Sequence, residues 1–492
     1  MKSKRDKISV FEKTTYSLGA LGREMSNSMV VVFFMLYLTA YVGLNGTVVG
    51  ILMCVAKLWD AVNDPMLATF VNNTKSRFGK FKPWICFGTL VNCICLVLMF
   101  MPIGVENQII SYIYYFLMYV LWGMSFTCVD VPFWSMIPSI ANTTDERNEI
   151  SSLSRTLAGF GGLLVGSGGA IVITKVVPNG SANKWAYFVI ACMSCVIFMM
   201  FLSLTVIFNK ERYPLPENDV KIREIFGIFK TNDQLSAYSM SYLFLKTAAT
   251  IAIVQFIYLF VYDYDRLYFG LYIIFNVVAC TGQGIIMIFY PLIVKKIPRE
   301  KMFGFSYISA VIGLLGLFFV FFFLKGIGYE QGATEVISGK EFQTVFNIVI
   351  VSIAGSMLMI SDGINNIGST VMISDVVDYG EWKTGKRSDS VIFSVQTLLT
   401  KLAGAAATLI LGAGISASGL PKMIQGINEA GEVVYSFSGA VTDEMLLILR
   451  VFMFLVPVPM VVIGYIYYKK KYKLFGEFYD RIKSELDKRH GR

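Results

Sequence analysis

The chain has 492 residues, of which 55% are apolar, 14% aromatic and only 16% charged. A soluble domain carries about a quarter charged residues, so a string of soluble domains is excluded, and the length instead accommodates about a dozen membrane spans of roughly 20 residues each. The net charge of +9 needs no nucleic acid, because the cations sit in short loops and tails, where they set orientation in a bilayer.

The basic N-terminus, Met1 to Lys13, leads into an apolar run with no cleavage site at its end. That run is too long for a signal-peptide core and reads as a retained helix. Twelve spans are predicted, at 14–42, 46–71, 83–103, 109–138, 150–177, 185–208, 235–262, 268–294, 302–324, 343–374, 388–416 and 444–468. The polar loop from Asn209 to Asp233, with Pro214 and Pro216, divides them six and six. The domain reading is therefore an N-terminal six-helix bundle over 1–208, a central loop over 209–234, a C-terminal six-helix bundle over 235–468 and a basic tail over 469–492. Within the central loop, Ile222 to Phe229 reads either as a short interfacial helix or as a solvated linker. Lys80, Lys82, Arg147, Lys210, Arg212, Lys296, Lys301, Lys383 and the tail from Lys469 fall on one side of the spans. The positive-inside rule then puts both termini in the cytoplasm and the chain in the cell (inner) membrane as a multi-pass protein. The eight cysteines all lie in apolar segments; Cys93 and Cys95 lack the second ligand pair of a zinc site and read as small hydrophobes.

Charges inside the spans carry the functional argument, because an ionisable group there costs about 2.5–3.5 kcal/mol on insertion scales and faces a bundle interior or a wet cavity. The first span holds Arg23 and Glu24. The second holds Lys57, Asp60, Asn63 and Asp64, followed by Pro65. Spacings of i, i+3 and i+4 put Asp60, Asn63 and Asp64 on one helix face. Their oxygens are hard ligands suited to a small hard cation or a proton; the bland alternative is a helix end whose charges have reached the interface. The fourth span holds Thr127, Asp130 and Trp134 on one face, and the fifth begins near Arg155. Acids accept from sugar hydroxyls, an arginine grips two oxygens together, and an aromatic ring covers the apolar face of a pyranose. Glu24, Asp130, Trp134 and Arg155 supply those parts, with internal ion pairing as the alternative. For Lys246, in the seventh span, internal ion pairing is the better reading. Lys401 lies in the eleventh span, after Gln396.

Several stretches bear a family likeness. Trp59-Asp60-Ala61-Val62-Asn63-Asp64-Pro65, Arg77-Phe78-Gly79-Lys80-Phe81-Lys82-Pro83-Trp84 and Asp130-Val131-Pro132-Phe133-Trp134-Ser135 resemble the glycoside-pentoside-hexuronide:cation symporter family of the major facilitator superfamily, with the nearest likeness to its melibiose permeases. Asp375-Val376-Val377-Asp378-Tyr379-Gly380-Glu381 and Ser394-Val395-Gln396-Thr397, followed by Lys401, match later stretches in the right order. The resemblance implies an all-α integral membrane fold: twelve transmembrane helices in two six-helix bundles, with the substrate held at mid-membrane between them. It implies sodium, lithium or proton coupling at Asp60, Asn63, Asp64 and Thr127, and sugar contacts at Glu24, Asp130, Trp134 and Arg155 with Lys401 nearby. It also implies a gate drawing on Arg147, Asp375, Asp378 and Arg387. Melibiose permeases carry Asp where this chain has Glu24, and the extra methylene points to a different sugar. Relatives for glucuronides tend to lack the acid at Asp130, whose presence argues for an uncharged glycoside.

The expected activity is cation-coupled symport of a neutral glycoside or oligosaccharide by alternating access, with no cofactor beyond the co-transported ion, acting as a monomer in the bilayer. A lysolipid carrier of the same fold is the main rival; a non-transporting sensor or membrane enzyme is the remote one. No nucleophile–histidine set or metal cluster supports an enzyme. Lone His490 lies in the tail, so carboxylates must carry any proton.

Overall fold

A backbone crossing hydrocarbon must satisfy its polar groups within its own segment, so long apolar runs close into helices. The computed structural model describes residues 8–74, 76–104, 107–141, 143–172, 184–213, 227, 229, 231–262, 269–294, 296–323, 341–385, 389–427 and 433–489. Two compact units are present: Met1–Asp219 with Pro421–Ala440, and Val220–Leu420 with Val441–Arg492.

The first unit contains α1 (Val10–Met29), continued by π-turns at Val30–Phe34 and Tyr37–Val42, then α2 (Gly46–Asn72), α3 (Lys82–Phe100) and α4 (Gln108–Ser135). After a single turn, α5 (Ile137–Ile140), come α6 (Thr144–Leu163), continued by a π-turn at Leu164–Gly168 and α7 (Gly169–Ile171), and α8 (Lys184–Phe208). The second unit contains α9 (Asp233–Tyr262), α10 (Phe269–Ile293), α11 (Arg299–Phe323), α12 (Glu341–Thr384) and α13 (Asp389–Ser418). Its last span is α14 (Asp443–Arg450), a π-turn at Val451–Leu455 and α15 (Pro457–Lys471), followed by α16 (Gly476–Arg489). Among the described residues each unit thus holds six long helical columns. Ten of them are long and apolar enough to cross a membrane. The other two are the α1 and α6 columns, whose Ser, Thr and charged residues dilute the apolar run; these are the columns that carry Arg23, Glu24 and Arg155.

Three features were not legible in the sequence. The tenth span, predicted to end at residue 374, runs on as α12 through the acidic stretch Asp375–Glu381 and is 44 residues long in all, about 66 Å at 1.5 Å per residue, twice a bilayer core. A two-stranded antiparallel hairpin, β1 (Met423–Ile427) with β2 (Val433–Phe437), pairs Met423 with Phe437 and Ile427 with Val433 and packs on the Tyr37–Val42 turn of the first unit. The stretch read as a basic tail folds as α16 and packs on α12, burying Ile482 and Leu486. Nearly all of Ile222–Phe229 lies outside the described residues.

The Arg77–Trp84 turn has a direct physical account. Glu211, in the segment after α8, accepts from the backbone N–H groups of Lys80 at 2.7 Å, Phe81 at 3.0 Å and Lys82 at 3.3 Å. A carboxylate at a helix N-terminus satisfies the orphan donors and complements the dipole. Gly79 takes φ +105° there, and a Cβ on it would lie 2.4 Å from Glu211 Oε1, so only glycine fits.

Candidate functional site

Helix α1 is drawn close to its neighbours by small residues: a Cβ at Gly161 of α6 would lie 2.4 Å from the Leu21 carbonyl, and one at Gly22 would lie 3.1 Å from the Phe198 Cα of α8. Such close approach is how membrane helices gain packing without a hydrophobic driving force. Ser17 and Ser154 share a hydrogen bond of 3.1 Å across the α1–α6 contact.

On this frame Arg23 becomes the hub. Its guanidinium pairs with Asp130 of α4 through Nη1 and with Glu24 through Nη2 at 2.8 Å. It also lies 5.4 Å from the Trp134 ring centre and 5.6 Å from that of Phe126. Arg155 approaches the same Trp134 ring at 5.6 Å. Glu24 in turn accepts from Asn27 Nδ2 at 2.8 Å. The Arg23 side chain is 9% exposed, against 23% for Glu24 and 35% for Asp130; Arg155 is exposed. Buried cation and half-open acids therefore form one cluster with two positive and two negative charges around an aromatic ring. Glu24, Asp130, Trp134 and Arg155 are brought together, but through Arg23, which sequence reasoning placed in the span and left out of the sugar-binding set. Adjacent residues point about 100° apart on a helix, so the pattern alone did not say that Arg23 bridges both acids.

Two turns back along α4, about 10 Å, lies the second polar group. The Asp60 carboxylate of α2 rests against Gly123, where a Cβ would meet its oxygens at 2.7 and 2.9 Å. The buried Thr127 hydroxyl donates to the Gly123 carbonyl at 3.1 Å, which leaves its lone pairs available. Asn63 and Asp64 follow Asp60 on α2, both half-buried. One face of α4, through Gly123, Thr127, Asp130 and Trp134, thus runs from the acids of α2 to the cluster around Arg23.

The remaining predicted residues are distributed between the units. In the first, Arg147 donates from Nε to the Ala141 carbonyl at 2.9 Å. In the second, Asp375 is buried, and Asp378 accepts from Tyr479 of α16 at 3.0 Å. Burial, with Asp375 and Asp378 alongside, pushes the Tyr479 phenol up, so it stays a donor. Arg387 lies outside the described residues. Lys401 is half-buried on α13, and Gln396, earlier on the same helix, donates to Ser369 at 3.0 Å. Lys246 is ion-paired, as its bland reading held: Nζ lies 2.8 Å from Asp362 Oδ1 and 3.1 Å from Asn366 Oδ1. Gln283 and Asn366 donate to Asp362 Oδ2 at 3.0 and 2.8 Å. Asp362 was missed, although an acid midway along the tenth predicted span was the available signal.

Residues 15–474 match the family described as MFS/sugar transport protein. The chain belongs to this family. It is an integral membrane transport protein and not an enzyme, and its relatives include the sugar permeases of the symporter group that its motifs resemble. The lactose permease of Lactobacillus delbrueckii subsp. bulgaricus is 24% identical over 99% of this chain and 74% of its own length. The raffinose carrier protein of Pediococcus pentosaceus is 23% identical over 89% of this chain and 68% of its own length. The isoprimeverose transporter of Lactiplantibacillus pentosus is 22% identical over 85% and 83%. The chain spans only 62% of the length of the Lactobacillus helveticus lactose permease. Among solved structures, a D-xylose-proton symporter superposes with TM-score 0.61 at 15% identity over 94% of this chain and 97% of its own. The nucleoside transporter NupG superposes with TM-score 0.60 at 13% identity over 94% and 100%. These likenesses show the major-facilitator fold.

Proposed function

We propose that this MFS sugar transport protein carries a neutral glycoside or oligosaccharide across the cell membrane by alternating access, coupled to sodium, lithium or a proton, with both termini in the cytoplasm. The single observation that carries the reading is the cluster of Arg23, Glu24, Asp130 and Arg155 around Trp134. Its formal charges sum to zero, so an uncharged ligand enters without leaving a buried charge unpaired. The carboxylates accept from hydroxyls, the guanidiniums donate in pairs, and the indole face takes the apolar side of a pyranose. A hexuronate would bring a net negative charge against Asp130 and Glu24. The names of the lactose, raffinose and isoprimeverose carriers point to the same substrate class.

Asp60, Asn63, Asp64 and Thr127 are proposed as the cation site. Two carboxylates, an amide and a hydroxyl offer hard oxygens to sodium or lithium, and the carboxylates can take a proton. Because both groups lie along one face of α4, cation and sugar binding should be reciprocal, each tightening the other by the same factor. Lys401 is retained as a further sugar contact. Arg147, Asp375, Asp378 and Arg387 are retained as gate residues, with Tyr479 holding Asp378. The test is a binding screen on the purified monomeric protein with galactosides, glucosides, xylosides and glucuronides, in sodium and in choline. Binding of a neutral glycoside that tightens in sodium is expected. Preference for a glucuronide, or binding of no glycoside at all, would overturn the reading.

A further inference from the structure

Asn92 of α3 has no role in the cluster or in the acids of α2, and it is fully buried. Both hydrogens and the oxygen of its amide are engaged. Its Oδ1 accepts from Ser26 Oγ of α1 at 2.6 Å, and its Nδ2 donates to the Trp122 carbonyl and to Ser125 Oγ of α4, each at 3.1 Å. The Trp122 indole closes the loop by donating to Ser26 Oγ at 3.4 Å. Three helices are pinned at one point by groups that hydrocarbon cannot satisfy in any other way.

The position of that point matters more than its stability. Ser26 lies one turn beyond Arg23 and Glu24 on α1. Trp122 directly precedes Gly123, against which the Asp60 carboxylate rests. Its ring stacks on Phe126 at 5.4 Å, and Phe126 faces the Arg23 guanidinium. One amide therefore holds the α1 turn of the sugar cluster to the α4 turn that contacts the cation-site acid. We propose that Asn92 is a positioning residue that transmits cation occupancy at Asp60 to the Arg23–Glu24–Asp130 cluster, and so sets the coupling between cation and sugar. This rests on the proposed cation-coupled transport. Binding a cation changes the charge on the carboxylate that abuts Gly123; a shift of that turn reaches Arg23 through Trp122 and Phe126, and the Asn92 amide makes α1 and α4 respond as one body.

Asn92→Ala leaves the groups it bonds with partners: Ser125 still donates to the Trp122 carbonyl, and the Trp122 indole still donates to Ser26. Calorimetric titration with lactose, raffinose and isoprimeverose, in sodium chloride and in choline chloride of equal ionic strength, reads the effect. Wild type is expected to show an affinity ratio between the two salts of about 5- to 150-fold, the usual range for coupled sites. In Asn92→Ala that ratio should fall toward one, with the choline affinity little changed. Ser26→Ala, which removes both hydrogen bonds that tie α1 to this point and leaves the Asn92–α4 bonds, should lower the ratio at least as far, and it decides the matter if Asn92→Ala is not monodisperse. A wild-type ratio in the variants, or an equal loss of affinity in both salts, would overturn the inference, the second by making Asn92 a packing residue. A wild type that binds these sugars identically in both salts would sink the coupled-transport reading, and this inference with it; the unsubstituted protein alone reveals that.

Discussion

Replacing Asp130 by Asn tests the sugar cluster most directly. The change keeps the shape and one acceptor oxygen but removes the charge that pairs with Arg23. Arg23 keeps its 2.8 Å bond to Glu24, so the guanidinium is not stranded and the protein should still insert and fold. What is lost is a charged acceptor for a sugar hydroxyl, and a hydrogen bond to a charged group contributes about 1.5–3 kcal/mol. At 1.4 kcal/mol per tenfold, sugar affinity should fall by about 10- to 150-fold. Calorimetric binding on the purified protein is the assay, beside a thermal melt to show that folding is intact. A cycle with Arg23→Gln adds discrimination. If Asp130 serves only to orient Arg23, Asp130→Asn should cost little once Arg23 is gone; if it contacts the sugar itself, the two losses should add. Unchanged affinity in Asp130→Asn would remove this residue from the site and with it the charge-balance argument.

Three further outcomes are expected. Glu24→Asp should reorder the glycosides carried more than it alters cation dependence, since the shorter chain withdraws one acceptor from a cluster that remains charge-balanced; competition uptake across a sugar panel checks it, and an identical preference order counts against a specificity role. Asp64→Asn should lose proton-driven uptake in vesicles yet keep weakened sodium-driven uptake, because an amide still offers oxygen to a metal but takes no proton, whereas Asp60→Asn should lose both, since the family resemblance, and not the spacing, assigns Asp60 the role shared by both ions; full proton-driven accumulation in Asp64→Asn would refute that division. Lys246→Met should destabilise the second unit by about 3–5 kcal/mol by leaving a buried acid, while Lys246→Met with Asp362→Leu should recover most of it; a thermal melt decides, and a double variant no better than the single one would show that the pair does more than hold helices together.

The sequence by itself determined where the chain crosses the bilayer, because hydrocarbon allows a long apolar segment only one way to satisfy its backbone. It also determined which residues share a helix face, since Asp60, Asn63 and Asp64, or Thr127, Asp130 and Trp134, are fixed relative to each other by 3.6 residues per turn. Contacts between helices were a different matter. Arg23 and Asp130 are 107 residues apart, Lys246 and Asp362 are 116 apart, and Glu211 reaches Lys80 across 131. No local period connects such pairs; only the packing of α1 against α4, of α9 against α12 and of α3 against α8 brings them within reach. Asn92 shows the limit most clearly. In the sequence it is one amide in an apolar span, and its meaning comes entirely from the two helices that tertiary packing presses against it.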